Sequence, residues 1–435
     1  MNSLIWFNND LRISDCETVK KACEGKKVIA VYCFDPRFFE TGPFGFKRTE
    51  KFRAKFLIES VHNLRKNLEK HNITLLVFHD RPENVLPEIV KTYQIDTIFL
   101  QQEWTRDERK IIDAVNDAVK ATVSNAVTFE ETDDQFLFHP EDIPYPSFEN
   151  IPDVFTQFRR KCEKQCKVRP VVSEIPPFAK ENKVENGTEI PSLEQLGLED
   201  VERDERTAFP FSGGEDAAQN RLQDYIWETK KIASYKKTRN GLIGKDYSSK
   251  LSAWLANGSI SPRTVYWEVK QFEKEVQKND STYWLIFELI WRDYFKYVSL
   301  KHGDKIFWQS GILNKEYHWK DEDSAKQKWI SGTTKEPFVN ANMVEIGQTG
   351  WMSNRGRQNV ASYWAKHLEQ DWRVGAAYFE SMLIDYDVHS NWGNWMYNSG
   401  VGNDPRDRKF NIQRQADMYD KKGTYQDLWL QQTLF

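Results

Sequence analysis

Short apolar runs alternate with amphipathic stretches over the first 132 residues of the chain. Five runs rich in β-branched and aromatic residues predict strands: LIWFN at 4–8, VIAVYCF at 28–34, ITLLVFH at 73–79, DTIFL at 96–100 and AVTFEE at 126–131. Between them, residues 49–70 and 106–120 repeat their apolar positions at the helical period. This alternation predicts an α/β domain with a five-stranded parallel sheet, and ligands of such sheets bind at the carboxyl ends of the strands.

The pattern changes after residue 132. The stretch from 165 to 215 is rich in Pro, Glu and Lys and has no sustained period, which predicts a long connector on the surface. From residue 216 onward the apolar spacing is helical, without a clear strand. The sequence therefore predicts an α/β domain at 1–132, a connector at 133–215 and an all-helical domain at 216–435.

Composition and charge divide the chain at a similar place. Of the 16 Trp residues, only Trp6 and Trp104 precede residue 220. Residues 1–220 carry a net charge of -9, whereas residues 221–435 carry +5. A basic, Trp-rich half is typical of a domain that meets a polyanion or a planar ligand, but Trp residues that simply fill a helical core explain the composition equally well.

Several classes of protein are disfavoured. No apolar run is long enough to span a membrane, and the N-terminus lacks the layout of a signal peptide. Five scattered cysteines do not form a disulfide framework, so we expect a reduced, cytoplasmic protein. The turn after the first predicted strand reads NNDLRISD rather than a glycine-rich Rossmann fingerprint. No metal-binding motif is found, and we expect no metal.

Three segments of the helical half carry candidate chemistry. Ser248–Ser252 places hydroxyl groups and a Lys at a helix start, which suits either simple capping or a phosphate. The stretch STYWLIFELIWRDYF puts Glu288 and Arg292 on one helical face among aromatic residues, where the carboxylate pairs with an Arg or faces a pocket. A third region combines Asn, Arg and Asp with aromatic rings, as expected around a planar heteroaromatic ligand.

Seven segments in order resemble the photolyase/cryptochrome family, and more narrowly its DASH branch. They are WFNNDLRISD, VYCFDPR, IPYPSFENIPDVFTQFRRKCE, YKKTRNGLIGKDYSSKLS, FELIWRDYF, GWMSNRGRQNVASYW and DYDVHSNWGNWMYNSGVGNDPR. The resemblance implies an α/β antenna domain joined by a long connector to an all-helical domain that binds FAD, active in its reduced form. It also implies DNA as the partner, with RNA as a further candidate, and we expect a monomer.

The resemblance assigns roles to individual residues. It implies that the FAD phosphates are held by Tyr235, Ser248, Ser249, Lys250, Leu251 and Ser252. Around the rest of FAD it places Asn354, Arg357, Asp385, Tyr386, Asp387 and Asn391, with Arg357 paired to Asp385 and Asn391 near flavin N5. The electron-transfer chain to the surface would be Trp395, Trp372 and Trp319.

The implied substrate is a cyclobutane pyrimidine dimer that is flipped out of a DNA strand and split by light-driven electron transfer. Glu288 would hydrogen-bond the dimer, and Trp291 would stack on it. Tyr397 and Gln358 replace the Trp and Met of related double-strand photolyases, which favours single-stranded DNA, and Asn354 replaces the His of (6-4) photolyases. Arg239 and Arg292 are further candidate contacts to nucleic acid.

Two questions stay open at the level of sequence. A folate antenna, 5,10-methenyltetrahydrofolate, would need a carboxylate in QQEWTRDERK, for which we expect Asp107 or Glu108, with Phe34 as another contact. The competing function is a blue-light receptor or nucleic-acid-binding regulator with little or no repair. The retention of Glu288, Trp291 and Asn354 favours repair, and the chain lacks the long tail that signalling cryptochromes use.

Overall fold

The computed structural model describes residues 1–431, so the last four residues of the predicted helical domain lie outside the described residues. The N-terminal part is a sheet with the strand order β3-β2-β1-β4-β5, and all neighbouring strands are parallel. The strands are β1 Asn2–Phe7, β2 Lys27–Cys33, β3 Thr74–Phe78, β4 Thr97–Gln101 and β5 Thr128–Thr132. The predicted five-stranded parallel sheet is confirmed.

Helices cover both faces of this sheet. They are α1 Glu17–Ala22, α2 Lys51–Lys70, α3 Pro82–Tyr93 and α4 Arg106–Thr122. Strands β1 to β4 are almost wholly buried, as expected for a parallel sheet that is packed on both sides, whereas the edge strand β5 is mostly exposed or half-buried. Two apolar clusters result, one on each face.

The connector includes α5 Phe155–Gln165 and then runs without a further α-helix until residue 215. The connector is more buried than its composition predicts. Leu193, Leu196 and Leu198 are buried against the α/β domain, and the Asn182 side chain exchanges hydrogen bonds with the backbone of Val28 at 2.9 and 3.0 Å. Apolar residues that are too sparse to show a period therefore still anchor this segment.

The C-terminal part is helical, and no strand follows β5 among the described residues. Its helices are α6 Glu215–Gln223, α7 Tyr235–Thr238, α8 Ser252–Ala256, α9 Pro262–Glu275, α10 Asp280–His302, α11 Asp323–Ile330, α12 Pro337–Thr349, α13 Asn354–Ser362, α14 Trp372–Met382, α15 Val388–Ser399, α16 Ile412–Tyr419 and α17 Thr424–Leu430. As the Ser-Pro pair predicts, the Ser261 hydroxyl caps α9 by accepting from the backbone N–H of Arg263.

Buried ion pairs join the two domains. Arg263 of α9 donates to the carboxylates of Asp15 at 2.9 Å and Asp134 at 2.8 Å, and all three side chains are almost fully buried. In the opposite direction, Arg12 donates to the carbonyl of Gly258 at 2.9 Å. Gly258 has φ +73°, and an added Cβ would collide with the backbone of Asn9. The position therefore requires glycine.

Candidate active site

A polar cavity opens between α13, α14 and α15. Its walls combine amides, one ion pair and aromatic rings, the mixture that grips a planar heteroaromatic ligand by its edge. The lining residues are Asn354, Arg357, Gln358, Ala361, Phe379, Leu383, Asp385, Tyr386, Asp387, Ser390, Asn391, Asn394, Trp395 and Asn398.

Eight residues singled out from the sequence meet in this cavity. They are Asn354, Arg357, Gln358, Asp385, Tyr386, Asp387, Asn391 and Trp395. The sequence reasoning missed Ser390, Asn394 and Asn398 on α15. Helical spacing could have identified them, because positions 391, 394, 395 and 398 share one face of a helix.

An ion pair fixes one wall of the cavity. Arg357 donates from Nη2 to both oxygens of Asp385, at 2.8 and 3.0 Å, and from Nε to the carbonyl of Met352 at 2.9 Å. The structure thus contains the pair that the resemblance implies. Charge-assisted bonds of this kind hold both side chains in one orientation.

Asp387 forms the neighbouring part of the wall. It caps α15 by accepting from the backbone N–H of Ser390 at 2.7 Å, and it receives the Lys296 ammonium at 3.1 Å. Burial would raise the pKa of the Asp387 carboxyl, but Lys296, His389 and Arg292 together hold this pKa well below its usual range. Asp387 is therefore a permanently charged wall of the cavity. Beside it, the Asn391 amide donates to the carbonyl of Ala376.

The predicted phosphate segment lies apart from these lining residues. The carbonyls of Ser248 and Ser249 accept from Arg221, while Leu251 and Ser252 begin the short helix α8. Tyr235 starts α7 and is buried.

Lys250 is the unusual member of this segment. It has φ +64°, and its buried nitrogen lies 3.2 Å from the centre of the Tyr247 ring and 4.8 Å from that of Trp351, with no hydrogen-bond partner in residues 1–431. Burial lowers its pKa, and the charged groups acting on it include Arg357 and Asp385 of the cavity. A buried lysine without a hydrogen-bond partner, on which charges of the cavity wall act, fits an anionic dinucleotide such as FAD, whose phosphates would favour the charged form of the amine.

A second face of the site is carried by α10. Glu288 pairs with Arg239, at 2.7 Å between Oε1 and Nη1, so the carboxylate is paired rather than free. Burial raises its pKa, and Arg239 opposes this shift. Trp291 lies one turn further and meets Tyr397 of α15 at a centroid distance of 6.0 Å with perpendicular rings. Phe155 of the connector stacks on Trp291 at 3.6 Å, a contact that the sequence did not reveal.

Arg292 corrects one expectation. It was predicted to contact nucleic acid, but its guanidinium donates to the backbone carbonyls of Gln135 and Leu255 between the domains. The pKa of this group is lowered by burial. Arg292 is therefore committed inside the molecule, because helical spacing alone does not distinguish an inward from an outward position so close to a domain boundary.

The three predicted electron-transfer tryptophans occupy neighbouring segments. Trp395 on α15 packs on Gly375 of α14, where an added Cβ would collide with the indole ring. Trp372 begins α14 and is fully buried. Trp319 precedes Lys320, whose backbone bonds to Glu369 and Asp371 immediately before α14. Trp392, which was not predicted, lies 5.7 Å from Trp372 between ring centres.

A second cavity, of about 170 Å³, lies between the two domains. Asn8, Phe34 and Glu103 line it just beyond the carboxyl ends of β1, β2 and β4, where a parallel sheet binds its ligands. Tyr386 and His389 close it from the helical domain.

The three residues expected around a folate antenna are placed differently relative to this second cavity. Phe34 and Glu108 line it, whereas Asp107 does not, although its carboxylate pairs at 3.1 Å with Arg48, a residue of the cavity wall. Glu103 was missed, although the position directly after β4 was the available signal. It is 4% exposed, and burial together with the charge of Glu108 raises its pKa to about 7.

No helix within residues 1–431 has the length and apolar character of a membrane span. The same residues contain no cluster of three or more His, Cys, Asp or Glu side chains suited to a metal ion. All five cysteines are free.

Comparisons with known proteins agree with this geometry. Residues 3–180 match the family described as DNA photolyase, and residues 284–433 match the FAD binding domain of DNA photolyase. Cryptochrome DASH of Gloeobacter violaceus is 45% identical over 98% of this chain and 85% of its own length. Cryptochrome DASH of Xenopus laevis is 46% identical over 98% of this chain and 81% of its own length.

A solved structure gives the same result. The crystal structure of a Synechocystis cryptochrome superposes with a TM-score of 0.93 at 45% identity, covering 99% of this chain and 88% of that one. The α/β part and the helical part, which contains the polar cavity, therefore both match proteins of the same family. The chain belongs to the photolyase/cryptochrome family, among the DASH cryptochromes, and carries the FAD-binding domain of that family.

Proposed function

We propose that this flavoprotein splits cyclobutane pyrimidine dimers in single-stranded DNA under blue light. The observation that carries the proposal is the corner formed by Trp291 and Tyr397. Tyr397 shares α15 with Asn394 and Asn398 of the cavity, and Glu288 is about one helical turn from Trp291. Phe155 is stacked on Trp291, so one face of this ring is already occupied. Flat aromatic faces next to a hydrogen-bonding carboxylate are the means by which proteins hold an extruded base.

FAD held in this cavity supplies the electron when it is reduced and illuminated. Arg357, Asp385 and Asp387 fix the shape and charge of the cavity wall, and Asn391 places its amide on the same wall. Lys250 offers its unpartnered ammonium to an anionic group of the cofactor. The reaction needs no acid–base triad, in keeping with the amides and ion pairs that make up the site.

Glu288 binds the dimer by exchanging partners. In the protein alone it is paired with Arg239, whose side chain is 19% exposed and thus within reach of a phosphate. When Arg239 turns to the DNA backbone, the Glu288 carboxyl becomes available to the substrate. Arg355 and Arg408 add positive charge nearby, since they contact Gln358 and Tyr397 respectively. Lesions in single strands are preferred because no base pair has to be broken to extrude them.

The cavity between the domains is the proposed site of the folate antenna. Phe34 and Tyr32 give it aromatic walls, and Glu103 with Glu108 supplies carboxyl groups that pair with the N–H edge of a pterin. Glu103 replaces Asp107 in this assignment. We further propose a monomer that works in the reducing cytoplasm, consistent with five free cysteines.

The experiment is a repair assay with reduced holoprotein and an oligothymidine single strand that contains dimers, under blue light and in the dark. We expect light-dependent splitting, faster than in the same strand as a duplex. Glu288→Gln should lower the rate about tenfold, the effect of one hydrogen bond to a charged group. Glu83→Gln is the matched control, because Glu83 also pairs with an arginine, Arg37 at 2.8 Å, but in the α/β domain.

Two results of this assay would contradict the proposal. Equal rates on both strands would refute the single-strand preference. Absence of splitting on either strand, with FAD bound, would refute repair and favour the blue-light receptor. An irradiated oligouridine tests RNA in the same assay.

A further inference from the structure

The flavin cavity and the interdomain cavity share a wall. Tyr386 and Asp387 line both of them, so the segment between α14 and α15 separates the two sites by a single layer of residues. Ligands on opposite sides of so thin a wall act on each other through whatever charges it contains.

Lys296 lies at the centre of this wall. Its ammonium comes from α10 and is 1% exposed. It donates to Asp387 at 3.1 Å and to the side-chain oxygen of Gln135 at 2.8 Å. The Gln135 amide lies 3.5 Å from the Glu103 carboxylate and donates to the Gln102 carbonyl at 2.8 Å. Asp387, Lys296, Gln135 and Glu103 thus form a continuous polar chain from one cavity to the other.

The buried Lys296 ammonium therefore bonds directly to the buried Asp387 carboxylate and is linked through Gln135 to the buried Glu103 carboxylate. Arg292 also faces this group, and the Trp104 ring, on which His389 is stacked, lies 5.8 Å from the ammonium. Burial lowers the pKa of Lys296, while Asp387 and Glu103 raise it. In low dielectric surroundings these charges interact strongly, so a change in the charge of one carboxylate alters the field at the other.

We propose that Lys296 is a positioning residue that couples the two cavities, so that the charge and hydrogen bonding of Glu103 set the electrostatic environment of the flavin. When Glu103 is ionised it balances part of the Lys296 charge. When Glu103 is neutralised, the full charge of Lys296 acts on Asp387 and on the flavin beside it. A ligand of the interdomain cavity that changes the state of Glu103 therefore tunes the flavin, and by reciprocity the flavin tunes the binding of that ligand. This inference rests on FAD in the cavity of α13 and α15, but not on the identity of the antenna.

The test is the midpoint potential of bound FAD in the holoprotein, titrated at pH 8.5 without DNA or folate. At this pH Glu103 is ionised. Glu103→Gln removes a negative charge, so the potential should rise, because electron uptake by the flavin becomes easier. Lys296→Met should lower the potential. In the double variant the effect of Glu103→Gln should be much smaller, since without Lys296 no cation links Gln135 and Glu103 to Asp387.

Asp35→Asn is the matched control, because Asp35 is a buried carboxylate of the same cavity that pairs with Arg37 at 2.6 Å rather than with the chain of Lys296. It should leave the potential unchanged. Purely additive shifts in the double variant, or no shift in Glu103→Gln, would overturn the proposal.

Gln135→Met provides a second route if Lys296→Met retains no FAD. It interrupts the chain without removing a charge, and it should abolish most of the shift caused by Glu103→Gln. A full shift in this background would contradict the inference. Because the potential is read without substrate, a failure of the repair assay leaves this result interpretable, and failure of FAD binding in the wild type would instead refute the flavin assignment.

Discussion

Replacement of Asp385 with asparagine probes the flavin cavity at its strongest contact. Asp385 is 9% exposed, and both of its oxygens accept from one nitrogen of Arg357. The amide keeps the shape of the carboxylate but not its charge, and its NH₂ group faces a guanidinium that is also a donor. A hydrogen bond to a charged group contributes about 1.5–3 kcal/mol. Loss of one such bond at the cavity wall should therefore weaken FAD binding about 10- to 150-fold.

The assay is a titration of apoprotein with FAD, followed by the change in flavin fluorescence. Asp204→Asn is the control, because both oxygens of Asp204 also accept from an arginine, Arg206, in three bonds of 2.6 to 3.2 Å, but within the connector. It should leave FAD affinity unaltered. If Asp385→Asn bound FAD within twofold of the wild type, Arg357 and Asp385 would not form a wall of the flavin site.

Two further predictions concern buried residues of the helical domain. Trp372→Phe should slow the light-driven reduction of oxidised FAD, measured by absorbance, while repair by chemically reduced protein continues. Trp254→Phe is the control, because Trp254 is equally buried but lies in another apolar cluster, and it should change neither rate. Unchanged photoreduction in Trp372→Phe would show that Trp372 is not part of the electron-transfer chain. Burial raises the pKa of Glu345 from 4.5 to about 7, so the native state binds more protons than the unfolded chain in this range and stability falls as pH rises, by about 3 kcal/mol in total. Glu345→Gln should therefore lose less melting temperature than the wild type between pH 5 and pH 8, and an identical loss would contradict the assignment.

The sheet could be predicted well because strands β1 to β4 are nearly continuous apolar runs, a pattern that burial on both faces requires. All five strands lie within two residues of the predicted bounds. The connector was predicted less well. Its few leucines are too far apart to show a period, yet each fills a separate gap on the α/β domain. Whether such isolated leucines are buried depends on the surface of the α/β domain on which they pack, and the local sequence carries no information about that surface.

The candidate site divides in the same way. The residues of α15 and the turn before it could be identified together because they are close in sequence. Glu103 could not be distinguished among the acids of QQEWTRDERK. Which of these acids lines the interdomain cavity depends on where β4 ends relative to the helical domain, which is distant in the chain. The pairing of Glu288 with Arg239 and the inward position of Arg292 likewise depend on long-range contacts.

The ion pairs of Arg263 with Asp15 and Asp134 make the two domains depend on each other for stability. While the two domains are packed together, loss of either acid would leave the buried Arg263 guanidinium short of a counter-charge, a loss of several kcal/mol. We therefore expect a single cooperative melting transition for the two domains. We also expect that the α/β half can be exchanged between relatives only where the incoming segment also carries both acids.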